Sequence, residues 1–173
     1  MAQPIVGIIM GSDSDLDVMS EAAKVLDELG VGNEVRVLSA HRTPDKTSQY
    51  VKSAKQRGIK VIIAGAGGSA HLAGVAAAQT PLPVISIPVK RDSHDHEALW
   101  SNINMPPGIP LAAMPENGAK NAALLAVAIL SLSDPKLAKK YDDFRQKQSE
   151  KVSNIDSQIQ QSGWQEHLTK KAK

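Results

Sequence analysis

Three short polar segments carry the side chains whose types and spacing can do chemistry: GSDSD at 11–15, SAHRTP at 39–44 and AGAGGSAHLAG at 64–74. In the first, Ser12, Asp13, Ser14 and Asp15 are followed closely by Asp17. Serine hydroxyls and the N–H groups of a helix start hold phosphate, whereas a carboxylate repels phosphate and accepts hydrogen bonds from a sugar diol. The mixture fits a phosphorylated ribose. Any one of these residues also makes an ordinary helix cap, but five exceed what one cap requires. In the second segment Arg42 offers the planar fork that matches phosphate. His41 is of the side-chain type that trades protons near neutral pH. Each of the two, taken alone, is equally at home on a plain surface.

In the third segment Gly65, Gly67 and Gly68 let the backbone approach a ligand, or simply turn the chain from strand to helix. His71 then faces either that ligand or a neighbouring element. His94 and His96, in DSHDHE, have the spacing of metal ligands at first sight. They lack a clear third ligand nearby, and a solvated helix start is the better reading. His167 has no assigned role.

The elements that must position these segments follow from apolar periodicity. PIVGIIM (4–10) reads as a strand buried on both faces. Behind the polar helix start, Val18, Ala22, Val25, Leu26 and Leu29 recur at helical spacing up to Gly30. A strand is predicted at 34–38, a helix at 45–57 ending at Gly58, and a strand at 60–64. A glycine turn at 65–68 and a helix at 69–79 come next. Further strands are expected at 82–88 and 109–113, with helices at 92–102 and 117–132. This alternation implies an α/β fold: a five-stranded parallel sheet with helices on both faces, a flavodoxin-like three-layer sandwich. Ligands of such sheets bind beyond the carboxyl ends of the strands. Each polar segment follows a strand, so all three should converge on one edge, and there a functional reading outweighs the bland one. After Asp134-Pro135 the chain becomes a polar helix (136–159) with a narrow stripe of Leu137, Tyr141, Phe144, Val152, Ile155 and Ile159. The division expected is a catalytic domain at 1–133 and a C-terminal helical tail at 134–173, docked on its own domain or on a neighbouring subunit.

Composition removes several alternatives. Aromatic residues make up 3% of the chain, namely Tyr50, Trp100, Tyr141, Phe144 and Trp164. That is too few for a base-stacking nucleic-acid platform or a ring-sandwiching flavin site. Net charge is +2, with 11 Lys/Arg against 12 Asp/Glu in residues 1–133 and 9 against 6 beyond. The body is near neutral, and neither nucleic acid nor a membrane surface is an expected partner. With no cysteine, disulfides, thiol nucleophiles and Cys-ligated zinc are excluded. No apolar run approaches the roughly 18–20 residues of a membrane span, and the first residues lack a signal-peptide pattern. The expected location is cytoplasmic. A phospho-receiver domain would need an Asp at the end of the third strand, where Ala64-Gly65 stand.

The three segments, together with TPLPVISIPV (80–89), MPPGIPLA (105–112) and NAALLAVAIL (121–130), resemble the catalytic subunit of phosphoribosylaminoimidazole carboxylase. More narrowly, they resemble the class I bacterial form, the N5-carboxyaminoimidazole ribonucleotide mutases of purine biosynthesis. The resemblance implies a homo-octamer with active sites at subunit junctions and a reaction without metal, biotin or ATP. In that reaction the carboxylate leaves N5 as trapped CO2 and adds to C4. Carried over by motif, the proton-moving histidine is His41. Phosphate and ribose contacts fall on Ser12, Asp15, Ser39 and Arg42, with Asp15 at the ribose diol. Gly67, Gly68, His71 and Leu72 match the segment that lines the carboxylate and CO2 region. The chain departs from the family in three places. KRDSHDHEALW is more polar than the usual glycine-rich stretch, AAMPENGAK is shorter, and Ala73 replaces a customary proline. The shortening resembles class II enzymes, which carboxylate aminoimidazole ribonucleotide directly. Those carry Lys in the SAHRT position and lack the His of AHL, so Arg42 and His71 favour the mutase. Direct carboxylation and a non-catalytic phosphoribosyl-binding paralogue are the alternatives.

Overall fold

In the computed structural model, which describes residues 3–91 and 96–171, the run after Pro4 forms β1 (Val6–Met10), buried at all five positions. A 3-10 turn (Asp13–Asp15) leads into α1 (Leu16–Leu29), which stops where Gly30 takes a left-handed φ of 73°. Then come β2 (Asn33–Val37), α2 (Pro44–Ala54), β3 (Val61–Gly67), α3 (Leu72–Ala77) and β4 (Val84–Val89). α4 (Glu97–Ile103), β5 (Ala112–Ala113) and α5 (Ala119–Ser131) complete this part of the chain. All pairings are parallel, in the order β2-β1-β3-β4-β5. This is the flavodoxin-like order expected from the sequence. Two compact units result, residues 1–130 and 131–173. The second consists of α6 (Pro135–Ser162), capped by the Asp134 carboxylate, and α7 (Trp164–Lys171). Gly163, with a φ of 80°, separates these two helices. The helix expected over 136–159 is α6, and α7 follows it beyond Gly163.

One face of the sheet carries α2 and α3, whose Tyr50, Val51, Ala54, Leu72 and Ala76 pack on Ile9, Ile62, Ala64 and Val84. The opposite face carries α1 and α5, joined by a Lys120–Glu21 ion pair at 3.2 Å. Glycines permit this close packing. A Cβ on Gly65 would overlap the Met19 sulfur of α1, and one on Gly7 would overlap the Tyr50 phenol oxygen. Tyr50 has no room to retreat. Its hydroxyl donates to Glu34 at 2.8 Å, and the Arg57 guanidinium lies 4.5 Å from the ring centre.

Three elements differ from their sequence expectation for physical reasons. The expected glycine turn at 65–68 is mostly strand. Gly65, Ala66 and Gly67 continue β3 by pairing with Ile87, Pro88 and Val89, and Gly68 alone turns, at a φ of 61°. The helix expected from 69 begins at Leu72 instead, because Gly68 to His71 form the turn. The fifth strand is two residues long rather than five. Gly108 at a φ of 94° and Pro110, which has no N–H to donate, hold the preceding segment out of the ladder. The helix expected at 92–102 is described from Glu97 onward; its first positions lie outside the described residues.

Gly7→Ala should cost about 1–3 kcal/mol of folding stability through overpacking, read from urea melts. In a Tyr50→Phe background the same substitution should cost clearly less, because the phenol oxygen is the clashing atom.

Candidate active site

β1 pairs with β2 on one side and β3 on the other, so the order reverses at β1 and opens a crevice beyond its carboxyl end. The segments following all three strands meet there around a cavity of about 340 Å³, within the size range of small-molecule sites. Ser12, Asp15, Ser39, His41, Arg42, Gly67, His71 and Leu72 line it. Gly68 does not; it makes the turn behind Gly67.

Ser12 and Asp15 form a capping box. The Ser12 Oγ accepts from Ser14 N–H at 3.4 Å, and Asp15 Oδ2 accepts from Ser12 N–H at 3.1 Å. The reciprocal pair holds both side chains at the crevice. Ser39 is pinned twice by Thr43, whose Oγ1 accepts from Ser39 N–H at 3.0 Å and whose N–H donates to Ser39 O at 3.0 Å. Thr47 Oγ1 adds a third bond to Ser39 O at 3.1 Å. From that fixed point Arg42 reaches across the end of β1 to donate from Nη2 to Gly11 O at 2.7 Å. This contact ties the segment after β2 to the segment after β1.

His41 and His71 come from different loops, yet their rings meet edge to face. Nε2 of His41 lies 3.0 Å from Nδ1 of His71, with the rings at 89°. One of these nitrogens carries the hydrogen and the other accepts it. The pair can therefore hold or pass a proton at the cavity wall.

Asp15 is nearly inaccessible, at 2% exposure, and its Oδ1 is paired with Arg91 Nη2. Burial pushes its carboxyl above the ordinary carboxylate range; Arg91, the Ser12 N–H and Arg42 pull the other way without cancelling it. Arg91 also lines the cavity, and no role for it was read from the sequence. The signal was present, since a basic pair, Lys90-Arg91, follows the fourth strand at the sheet's functional edge. His94 lies outside the described residues. His96 Nδ1 stands 3.0 Å from Glu116 Oε2, away from the cavity lining. No group of three or more potential metal ligands occurs among the described residues.

Fold and site together define an α/β protein with a polar cavity at its topological switch point, lined by a histidine pair and by Ser12, Ser39 and Arg42. The model of the AIR carboxylase family matches residues 5–151, and the chain belongs to that family. It is 47% identical over 97% of its length to the N5-carboxyaminoimidazole ribonucleotide mutase of Thermotoga maritima, spanning 99% of that protein. It is 50% identical to the mutase of Pyrococcus abyssi, covering 97% of each chain. It also matches Saccharomyces cerevisiae phosphoribosylaminoimidazole carboxylase at 50% identity, covering 30% of that longer protein. The crystal structure of Treponema denticola PurE superposes with a TM-score of 0.84 at 32% identity, over 90% of this chain and 98% of that one.

Asp15 should titrate above 3.8 in the free protein, measured by carboxyl 13C NMR. Its proton is held more tightly in the folded than in the unfolded state. The stability it contributes is therefore present in acid and lost as pH rises from the unfolded value through the folded one. Urea melts across that interval should show the wild type losing stability relative to Asp15→Asn as pH rises.

Proposed function

We propose that this protein is an N5-carboxyaminoimidazole ribonucleotide mutase of purine biosynthesis, moving a carboxylate from N5 to C4 of its substrate. The observation that carries this reading is the His41–His71 contact at 3.0 Å, in the wall of the same cavity that Ser12, Ser39 and Arg42 line. A phosphoribosyl group needs the second cluster, and a proton relocated during isomerisation needs the first. The relatives named as mutases, matched over nearly their whole length, support it independently.

In this reading Ser12, Ser39 and Arg42 bind the phosphate, and Asp15 accepts from the ribose hydroxyls. The base is thereby directed toward Gly67, His71, Leu72 and His41. The N5–carboxyl bond breaks to give CO2, and N5 gains a proton from His41. C4 then attacks the retained CO2, and His41 removes the C4 proton to restore the aromatic ring. One proton leaves C4 and one arrives at N5, so the reaction is a net isomerisation. Ala40, Ala66, Ala70 and Leu72 give the otherwise polar cavity an apolar part of its wall. Such a lining disfavours the charged carboxylate and suits neutral CO2. No cofactor takes part in these steps.

The same reading extends to assembly and location. The protein is a cytoplasmic homo-octamer with its catalytic domain at 1–133, and the 134–173 tail serves the contacts between copies. Exposed Val152, Trp164 and Leu168 in the tail support that role. Among the described residues no helix is long and apolar enough to cross a membrane. Light scattering of the purified protein should give the mass of eight chains; a monomer would overturn the assembly.

Purified protein should convert the N5-carboxylated nucleotide to the C4-carboxylated product at low CO2. Preference for aminoimidazole ribonucleotide plus CO2 would instead identify a direct carboxylase, and silence with both a binding paralogue. His41→Asn should lower turnover by at least about a thousandfold, within the range of general acid–base contributions, while nucleotide affinity changes little. Wild-type rates in that variant would remove His41 from the chemistry.

A further inference from the structure

The segment after β4 is where this chain departs most from the pattern it otherwise resembles, and Arg91 is the residue there that reaches the cavity. Three contacts seat it. Val89, two residues earlier, is paired in register with Gly67. The Lys90 N–H donates to Asn117 Oδ1 at 3.0 Å, and Asn117 is itself fixed by donating to Pro88 O at 2.9 Å. The Arg91 side chain then lies over Gly67. A Cβ on that glycine would sit 2.6 Å from Arg91 Nε and 3.0 Å from its Cγ. Gly67 therefore makes room for an arginine as well as for a ligand.

The head group is used economically. Arg91 Nη2 donates both to Asp15 Oδ1 and to Ser14 Oγ, the latter at 3.1 Å. Asp15 is almost wholly buried, while the Arg91 side chain is 34% exposed at the cavity. A carboxylate has about four acceptor positions, two on each oxygen. Among the described residues, Oδ2 takes the Ser12 N–H and Oδ1 takes Arg91. One position on each oxygen is left over. Two hydroxyls on neighbouring sugar carbons need two acceptors side by side, one from each oxygen.

We propose that Arg91 is a positioning residue for Asp15: by holding Oδ1 while the Ser12 N–H holds Oδ2, it turns the free acceptor of each oxygen to the ribose hydroxyls. Sugar recognition then depends on Arg91 without Arg91 touching the sugar. This rests on the functional reading above, in which Asp15 meets the ribose. Arg91 also opposes the tendency of burial to neutralise Asp15. Without the guanidinium the carboxyl would be both less constrained and more easily protonated, and a protonated carboxyl offers fewer acceptors.

The test uses the full-length protein and calorimetric binding of aminoimidazole ribonucleotide and its 2′-deoxy counterpart. Arg91→Met should weaken ribonucleotide binding about tenfold, the scale of one hydrogen bond to a charged group. It should also erase most of the preference over the deoxy analogue. KM should rise while kcat moves less than about twofold. Arg91→Lys, which keeps a charged donor, should recover most of the loss. In Asp15→Asn, which accepts poorly already, adding Arg91→Met should cost nothing further. Full affinity and sugar preference in Arg91→Met would overturn the proposal. So would a tenfold loss that persists in the Asp15→Asn background, because Arg91 would then contact the ligand directly. A wild type that binds neither nucleotide would refute the functional reading instead. The pairing is still tested in that case by ligand-free carboxyl NMR. The Asp15 titration should move upward in Arg91→Met, and an unmoved titration would overturn the role assigned to Arg91.

Discussion

Because β1 lies between β2 and β3, the chain leaving those two neighbours must approach the end of β1 from opposite sides. Parallel strands all present their carboxyl ends at one edge, and the reversal of winding keeps the space above β1 from being covered by a connecting helix. The cavity is a consequence of that constraint. The segment after β1 supplies Ser12 and Asp15, the one after β2 supplies Ser39, His41 and Arg42, and the one after β3 supplies His71. The Arg42–Gly11 bond and the His41–His71 contact form across this edge because the topology brings three loops within side-chain reach.

Keeping those loops close requires backbone without side chains at a few positions. Gly65 admits Met19 of α1, Gly7 admits Tyr50 of α2, and Gly67 admits Arg91. A methyl group at any of them would force the Met19, Tyr50 or Arg91 side chain to shift. The polar side of the design is equally tight. Asp15 loses nearly all its water, a cost that Arg91 and the Ser12 N–H offset only in part. A buried carboxylate is expensive as structure unless its oxygens find donors.

The proposed reaction places few demands on side-chain chemistry beyond one mobile proton and a pocket that tolerates CO2. The scarcity of aromatic residues is consistent with this. In the proposed reading polar loops grip ribose and phosphate without a stacking platform, and three of the five rings, Tyr141, Phe144 and Trp164, belong to the second unit. The chain matches a protein named as a mutase over nearly its whole length and covers 30% of a longer yeast protein named as a carboxylase.

Alternating apolar runs and polar loops were enough to read the α/β class, the five strands and the three loops that meet at the cavity, because burial imposes its period directly on residue type. Element ends were legible at Gly30 and to within a residue at Pro44, whereas α2 stops at Ala54, short of the Gly58 expected to end it. They were misread where pairing overrode local preference, as in the glycine-rich end of β3, or where a turn consumed the start of α3. At the site, Ser12, Asp15, His41, Arg42 and His71 could be named as candidates from type and position, and Ser39 from the family resemblance. That His41 would meet His71, that Asp15 would be buried, and that Arg91 would pair with it were decided only in three dimensions. Those contacts join residues 30 and 76 positions apart. Sequence pattern records which face of its own element a residue occupies, whereas only strand order and the room left by Gly67 determine which distant side chain it finds there.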